Sequence, residues 1–558
     1  MKFRLLFSFL FLATITDISS QERVKNVILM IPDGTSSSIL SLARWYKFGT
    51  CAADNCRLAI DLHICGMVST FNSDSPIGDS APTGSTYATG ILSNTGFVAT
   101  YPVSSGKERD LIQVDSLRTY HPLITLLEAA KLRGKFTGLV VTSEFTHATP
   151  ADFSAHTFNR DDKEAIAIQI VYNNLNVVFG GGVNYLDPTV RKDGLDLMNV
   201  LRSRNYKLAT TVDQFDALLP TDSLVFGLFA NEYLPNNLDR NPSEVPSLAE
   251  MTRKAIKILS EDPNGFFLMV EGSKIDWSAH ANDPIGTITE FLAFDDAVKE
   301  AISFANRDGN TAVVIVPDHG CGGITFGNHR SNGTYDVLPI QELIQPLRAC
   351  KMTGEGISSM IKANPTDAEK IFFDYTSMHL SPEEIEDVSV AVNASDKYKL
   401  PATVANIINK RTYVGFTTEG HTGEDVMLAV FHPGQYRPSG VITNRQLNQY
   451  MSEILGIKDL NSLTEERFTI DTIALEGVTW TIQQTENSRL KLVIHATDKT
   501  RSHAEIEAST DYIMIFKREK PVKMIPLGSL AIFVEPLQHF FIPRLVGDIL
   551  KEELLHEK

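Results

Sequence analysis

Three apolar runs in this chain share one habit: each is continuous rather than alternating, and each stops at an acidic residue. Val27-Ile28-Leu29-Met30-Ile31 runs into Pro32 and Asp33, Phe266-Phe267-Leu268-Met269-Val270 into Glu271, and Ala312-Val313-Val314-Ile315-Val316 into Pro317 and Asp318. A strand with no polar face must be covered on both sides, and the usual cover is a layer of helices. Helical patterns separate the runs. Leu123 to Leu132 begins after Pro122 and stops before Gly134, and Ile288 to Ala305 ends near Gly309. The sequence therefore predicts an α/β fold, a doubly wound and mostly parallel central sheet flanked by helices. Ligands of such sheets bind beyond the carboxyl ends of the strands, where the three acids fall.

With 558 residues and 43% hydrophobic content, the chain can bury one large core with insertions, or two or three domains. Residues 1–20 read as a signal peptide: Lys2 and Arg4, then apolar Leu5 to Ala13, then small Ser19 and Ser20 before Gln21. The core is expected over 21–323 and is completed by 416–462, which contains the strand-like Val426 to Phe431. Residues 324–415 break the strand-helix alternation, carry the acidic stretch Glu383-Glu384-Ile385-Glu386-Asp387, and read as an insertion. Residues 463–558, with Val478-Thr479-Trp480-Thr481-Ile482 and Tyr512-Ile513-Met514-Ile515-Phe516, read as a β-rich C-terminal extension.

The formal charge of −17 lacks the basic footprint of a nucleic-acid binder. It also means that any anionic substrate must be met by local positive charge, which metal ions can supply. No run after the first twenty residues is long enough to span a bilayer. Five cysteines are too few for a disulfide scaffold, and the odd count leaves at least one thiol unpaired within the chain. Cys51 and Cys56 are near enough to pair, Cys321 and Cys350 could close a longer loop, and Cys65 reads equally as a buried thiol.

Metal-binding residue types recur at strand ends. Asp276 and His280 share one helix face at a four-residue spacing, Asp318-His319 sits at the end of a strand, and His421 lies between Gly420 and Gly423. Any one of them reads as well as a surface ion pair, a turn or a loop histidine. Oxygen and nitrogen donors without thiolates suit zinc, with magnesium at an all-oxygen position. In Asp79-Ser80-Ala81-Pro82-Thr83-Gly84, small residues and an early proline suit the first turn of a helix whose free N–H groups could seat a phosphate. Ser80 could equally be a plain helix cap. A nucleophilic serine needs an activator, and with no Gly-x-Ser-x-Gly elbow around it a metal is the remaining choice.

In chain order, Asp33-Gly34, Asp79-Ser80-Ala81, Thr146-His147-Ala148-Thr149-Pro150, Arg160, Val270-Glu271-Gly272 with Asp276 and His280, Asp318-His319, and Gly420-His421-Thr422-Gly423 resemble the alkaline phosphatase family. The resemblance covers roughly residues 24 to 430 and leaves the C-terminal extension outside it. It implies an exported enzyme, periplasmic or extracellular, that hydrolyses phosphate monoesters through a phosphoserine on Ser80, with two zinc ions and one magnesium ion. Asp276, His280 and His421 would hold the first zinc, and Asp33, Asp318 and His319 the second, with Ser80 as its fourth partner. Glu271, Thr149 and Asp33 would hold magnesium, and Arg160 would clamp two phosphate oxygens. The insertion would be the family's crown-like elaboration, and a homodimer is one assembly compatible with the pattern. His147 and Trp277 stand where the enteric bacterial form has Asp and Lys and animal enzymes have two histidines, which implies a weaker hold on magnesium or another metal recruited by the imidazole; the pair reads equally as a packing tryptophan and a loop cap. Gly84 and Pro82 replace the usual alanine or serine, which predicts a more pliable nucleophile helix.

Two rivals share many of these residues. A sulfatase or phosphodiesterase of the same superfamily is one, but glycine stands at position 84 where the sulfatase maturation motif has arginine. A non-enzymatic protein that sequesters metal or phosphate is the other.

Overall fold

In the computed structural model, which describes residues 23–485, 487–495 and 502–555, the apolar runs form the middle of one ten-stranded sheet. The expected signal peptide lies outside the described residues. The strands are β1 (Asn26–Pro32), β2 (Ile64–Ser69), β3 (Phe136–Glu144), β4 (Val177–Gly181), β5 (Lys207–Ala209), β6 (Val225–Leu228), β7 (Phe266–Gly272), β8 (Thr311–Ile315), β9 (Val426–Phe431) and β10 (Gly440–Thr443). They lie in the order β10-β2-β9-β8-β1-β7-β3-β4-β6-β5. Every neighbouring pair is parallel except those of β9, which runs against both β2 and β8.

The lack of a polar face is explained by what covers each side. In β1, Ile28 and Met30 enter one core while Val27, Leu29 and Ile31 enter the other, all with no exposed surface. The alternation repeats in β7 and β8, so neither face of these central strands meets water. Fully burying an aliphatic side chain stabilises by about 1.5–3 kcal/mol, and these central strands are where that gain is densest.

Register then fixes the site. Ile31 pairs with Glu271, and Met30 pairs with both Val270 and Ile315, so Asp33, Glu271 and Asp318 leave the sheet at one edge. The reversed strand β9 starts at that same edge, which brings His421 to the acids from five residues upstream.

The helices begin and end where capping chemistry dictates. The long helix Pro284–Asp308 has Asp283 accepting hydrogen bonds from its first turn, proline at its start and left-handed Gly309 at its end. It thus starts a turn earlier than the apolar pattern from Ile288 suggests. The helix expected from Leu123 begins at Leu126 instead, because Thr125 and Glu128 form a reciprocal capping box there.

Residues 324–415 add no strand to the large sheet. They leave and return through the short antiparallel pair Thr325–Phe326 and Val414–Gly415, and between these lie five α-helices from Ile340 to Asn409. After residue 463 a separate five-stranded antiparallel sheet spans Thr479 to Pro526 around its own core. Arg204 fastens it to the main body by pairing with Asp511 at 2.6 Å.

Cys51 and Cys56 form a disulfide. Cys321 and Cys350 do not pair with each other; both are buried free thiols facing backbone carbonyls, of Asp276 at 3.8 Å and Pro346 at 3.5 Å. Cys65 is also free.

Candidate active site

Ser80 opens the helix Ser80–Thr89, whose ten residues are all buried. Asp79 precedes it in an extended conformation, but its side chain does not cap the helix. It turns away to accept a 2.6 Å hydrogen bond from Arg160, so the first N–H groups of the helix lack a side-chain partner. The Tyr87 hydroxyl donates to the Pro317 carbonyl at 2.8 Å and ties this helix to the loop bearing Asp318 and His319. Ser80 Oγ lies 3.4 Å from His319 Nε2.

The sequence motifs converge on three clusters whose candidate ligand atoms lie within 4.8 Å of one another: Asp276, His280 and His421 with Cys321; Asp33, Asp318 and His319; and Asp33, His147 and Glu271. Asp33 belongs to two of them. Thr149 adds a buried hydroxyl beside Glu271, on the helix Ala148–Asp152 that follows β3. Every residue singled out from sequence is therefore at this edge of the sheet. The close approach of the Asp276 helix, Lys274–His280, depends on Gly34, which has φ +61° and whose added Cβ would sit 2.4 Å from Asp276 Oδ1.

The chemistry of these clusters fits cations. Both oxygens of Asp33, both of Glu271, Asp276 Oδ1 and Asp318 Oδ2 are buried without a hydrogen bond. Buried carboxylates in proteins are otherwise paired or hydrogen-bonded, or they stay protonated. Burial raises Asp33 well above the usual carboxylate range, and repulsion from Asp318, Asp276 and Glu271 adds to it. Burial, reinforced by Asp318, lifts Glu271 to about 8. Asp276 goes the other way: burial would raise it, but His280, His319 and His421 hold it far below its usual value.

The histidines are poised by their outer nitrogens. His280 Nδ1 faces the Glu419 carbonyl, and His421 Nδ1 lies 2.9 Å from the Gly78 carbonyl. Protons on those nitrogens leave two Nε2 lone pairs 3.0 Å apart, with His280 Nε2 3.3 Å from Asp276 Oδ2. Only a proton or a cation between them relieves the repulsion. Despite burial, Asp276 raises His280 to about 9, and a divalent cation satisfies all three groups at once. His319 repeats the arrangement, with Nδ1 3.1 Å from the Gly320 carbonyl and Nε2 3.5 Å from both Asp33 and Asp318.

Arg160 extends over the site, with one amino group on Asp79 and the other 3.4 Å from His147 Nε2. Burial opposes the Asp79 charge, but Arg160 outweighs it and holds that carboxyl below its usual range. The Asp79 motif carries no sign of this anchoring role beyond an acid beside a candidate nucleophile and a distant arginine that needs a partner. The carbonyls of Gly78 and Glu419, which orient the two histidines, left no trace in side-chain chemistry. Cys321 reaches the first cluster because its short strand pairs it directly with His421.

The alkaline phosphatase family model matches residues 24–457. The chain is similar to alkaline phosphatase 3 of Bacillus subtilis (strain 168), 35% identical over 439 residues that cover 77% of this chain and 88% of that one. Among solved structures it is similar to the alkaline phosphatase of Thermus thermophilus, with TM-score 0.68 and 25% identity over 78% of this chain and 92% of that one. It is also similar to a histidine-to-aspartate mutant of TAB5 alkaline phosphatase that holds magnesium in its M3 site, with TM-score 0.54 and 25% identity over 78% and 99%.

Proposed function

Because the chain belongs to the alkaline phosphatase family and is a phosphoric monoester hydrolase, we propose that it works through a phosphoserine on Ser80, at a site of two zinc ions and one magnesium ion. Asp276, His280 and His421 hold the first zinc, and Asp33, Asp318 and His319, with Ser80, the second. Asp33, Glu271 and Thr149 hold the magnesium, with His147 beside it. The observation that carries this reading is the set of buried, unbonded carboxylate oxygens aimed at shared points, with histidine Nε2 atoms among them.

Bound there, the cations would lower the pKa of the Ser80 hydroxyl and of water and offset charge on the departing alkoxide. The chain's own groups do the positioning. Arg160, held by Asp79, presents its fork to two phosphoryl oxygens, while the uncapped start of the Ser80 helix faces the same group. Ser80 gives up its hydroxyl proton as Oγ attacks phosphorus, the P–O bond to the alcohol breaks, and the leaving oxygen takes up a proton to depart as the alcohol. Water then attacks the phosphoserine in line, releasing inorganic phosphate and restoring Ser80. Phosphoryl transfer asks for little beyond such placement and compensating charge.

His147 is the nitrogen donor of the Asp33 and Glu271 cluster. A TAB5 mutant with aspartate in place of a histidine holds magnesium in its M3 site, and the histidine in this chain's cluster supports a weaker grip on magnesium or a different metal. An exported protein, cleaved after residue 20, fits the leader read at residues 1–20. We take residues 21–323 and 416–462 as the catalytic core, 324–415 as a crown-like insertion and 463–558 as an appended unit; a homodimer is the assembly to look for. The test is a rate panel on an aryl phosphate monoester, a diester and a sulfate ester, with zinc and magnesium assayed on the same sample. Fast monoester turnover with about two zinc ions per chain is expected. Faster sulfate or diester turnover, or full activity without a transition metal, would overturn the reading.

A further inference from the structure

A cleft of 910 Å³ runs from the metal-ligand cluster to the helices between residues 340 and 409. That is the size of a site for a nucleotide-sized ligand, far more than a phosphate needs. His147, Trp277 and His280 line its inner end, and Tyr398 lines its outer one.

One wall of the cleft is a rigid aromatic array. The Tyr233 and Trp277 rings meet edge to face at 4.9 Å and 85°, and Trp277 meets His147 at 5.5 Å and 70°. Lys274, with only 1% of its surface exposed, braces the array from behind. Its ammonium lies 4.7 Å from the Tyr233 ring centre and donates to the Leu234 carbonyl at 3.1 Å and to Glu355 at 3.0 Å. Nothing in the handling of phosphate requires such an array. Tyr398, 67% exposed at the start of the helix Lys399–Asn409, lines the same cleft and is near enough to Tyr233 to act on its ionisation. The lining carries four lysines, Lys163, Lys362, Lys397 and Lys399, against six acids, among them Glu232, Glu355, Asp396 and Glu419, so it does not ask for a second anionic group.

A braced aromatic wall and an exposed tyrosine that line one cleft reaching the metal-ligand cluster suit a planar ring on the departing alcohol. We propose that this cleft is a leaving-group subsite for phosphate monoesters whose alcohol carries an aromatic or heteroaromatic ring, the class of aryl phosphates and nucleoside 5′-monophosphates, with the ring packed against Trp277 and Tyr398. The subsite rests on the phosphomonoesterase reading of the Ser80 site.

The test uses the metal-loaded full chain and three substrates: adenosine 5′-monophosphate, phenyl phosphate and glycerol 2-phosphate. Tyr398→Ala should raise KM for the two ring-bearing esters and lower their kcat/KM roughly tenfold, with glycerol 2-phosphate unchanged. Tyr398→Phe should behave like the parent. Adenosine alone should compete with substrate and quench tryptophan fluorescence in the parent and Tyr398→Phe, and do so more weakly in Tyr398→Ala. A larger loss for the nucleotide than for phenyl phosphate would assign the cleft to nucleotides, and the reverse to aryl esters. Equal changes for all three substrates, or none, would overturn the subsite alone. Failure to hydrolyse any of the three would overturn the phosphomonoesterase reading and the subsite with it.

Discussion

Two sets of buried acids, both shut away from water, are treated in opposite ways. Asp283, at the start of the long helix, has every oxygen in use: Oδ1 accepts from the N–H groups of Ile285 and Gly286 at 2.9 and 3.1 Å, and Oδ2 from that of Gly354 at 2.7 Å. Burial lifts it only to about 6 against those bonds. Asp33 and Glu271, at the strand ends, accept nothing from the chain. Asp283 is finished by folding and joins the helix Gly354–Ala363 to the core. The strand-end acids are left unfinished, and unfinished buried carboxylates mark where cations belong.

The largest effect expected is on turnover. Ser80→Ala should cut phosphomonoesterase activity by ~10³-fold or more while zinc content stays at the parental level, because Asp33, Asp318 and His319 remain to hold the second ion when the hydroxyl is gone. Activity near the parental rate, or loss of zinc with the hydroxyl, would break the contrast.

Stripping the metals should expose the unfinished set as a pH-dependent liability. Glu271, lifted to about 8, holds its proton longer folded than unfolded, so the metal-free protein loses stability as pH rises toward that value. His280, raised to about 9, contributes stability that is likewise lost with rising pH. His147, lowered to about 4 by burial, acts in the opposite direction but only below its ordinary value near 6.5. Between about pH 6.5 and 8 the unfolding midpoint of the chelated protein should therefore fall, while that of the metal-loaded protein stays flat. Calorimetry of both forms across that window checks it.

A smaller effect comes from finishing one cluster differently. His147→Asp adds an oxygen donor beside Asp33 and Glu271, and should tighten magnesium binding and strengthen product inhibition by phosphate, slowing turnover. A magnesium titration with phosphate inhibition constants for parent and variant is the measurement; unchanged values for both would place His147 outside the metal's working shell.

The smallest effect concerns Asp152, which falls between the two sets. Its Oδ1 accepts from Ser85 at 2.8 Å, its Oδ2 has no partner, and burial raises it well above the carboxylate range. It joins none of the candidate metal clusters among the described residues. Gly84 makes room for it, since a Cβ there would lie 2.2 Å from Oδ2. Gly84→Ala should cost about 1–3 kcal/mol, and Asp152→Ser in the same chain should recover most of it. The glycine expected to loosen the nucleophile helix is thus the place where a second helix locks onto it.

How far the sequence could be read follows the same division. Continuous apolar runs ending in acids announced both the two-sided burial of the sheet and the edge at which the site lies, because backbone geometry ties strand direction to ligand position. The helix starts at Leu126 and Pro284 lie about a turn from where the apolar pattern puts them, since periodicity is blind to the caps Thr125 and Asp283. Cys321 could be taken for a disulfide partner of Cys350 because sequence does not show that its strand pairs with His421 instead. The anchoring of Arg160 by Asp79, and the carbonyls of Gly78 and Glu419 behind the histidines, depend on tertiary placement across 81, 343 and 139 residues of chain.

The most direct test of the account sets one acid from each set against the other in metal-free protein at pH 9. Glu271→Gln removes a charge that burial penalises and should raise the unfolding midpoint, while Asp283→Asn removes an acceptor from backbone N–H groups and should lower it. With metals restored, Glu271→Gln should lose magnesium and Asp283→Asn should keep it. If both substitutions shift the metal-free midpoint in the same direction, the strand-end carboxylates are not waiting for cations, and the account is wrong.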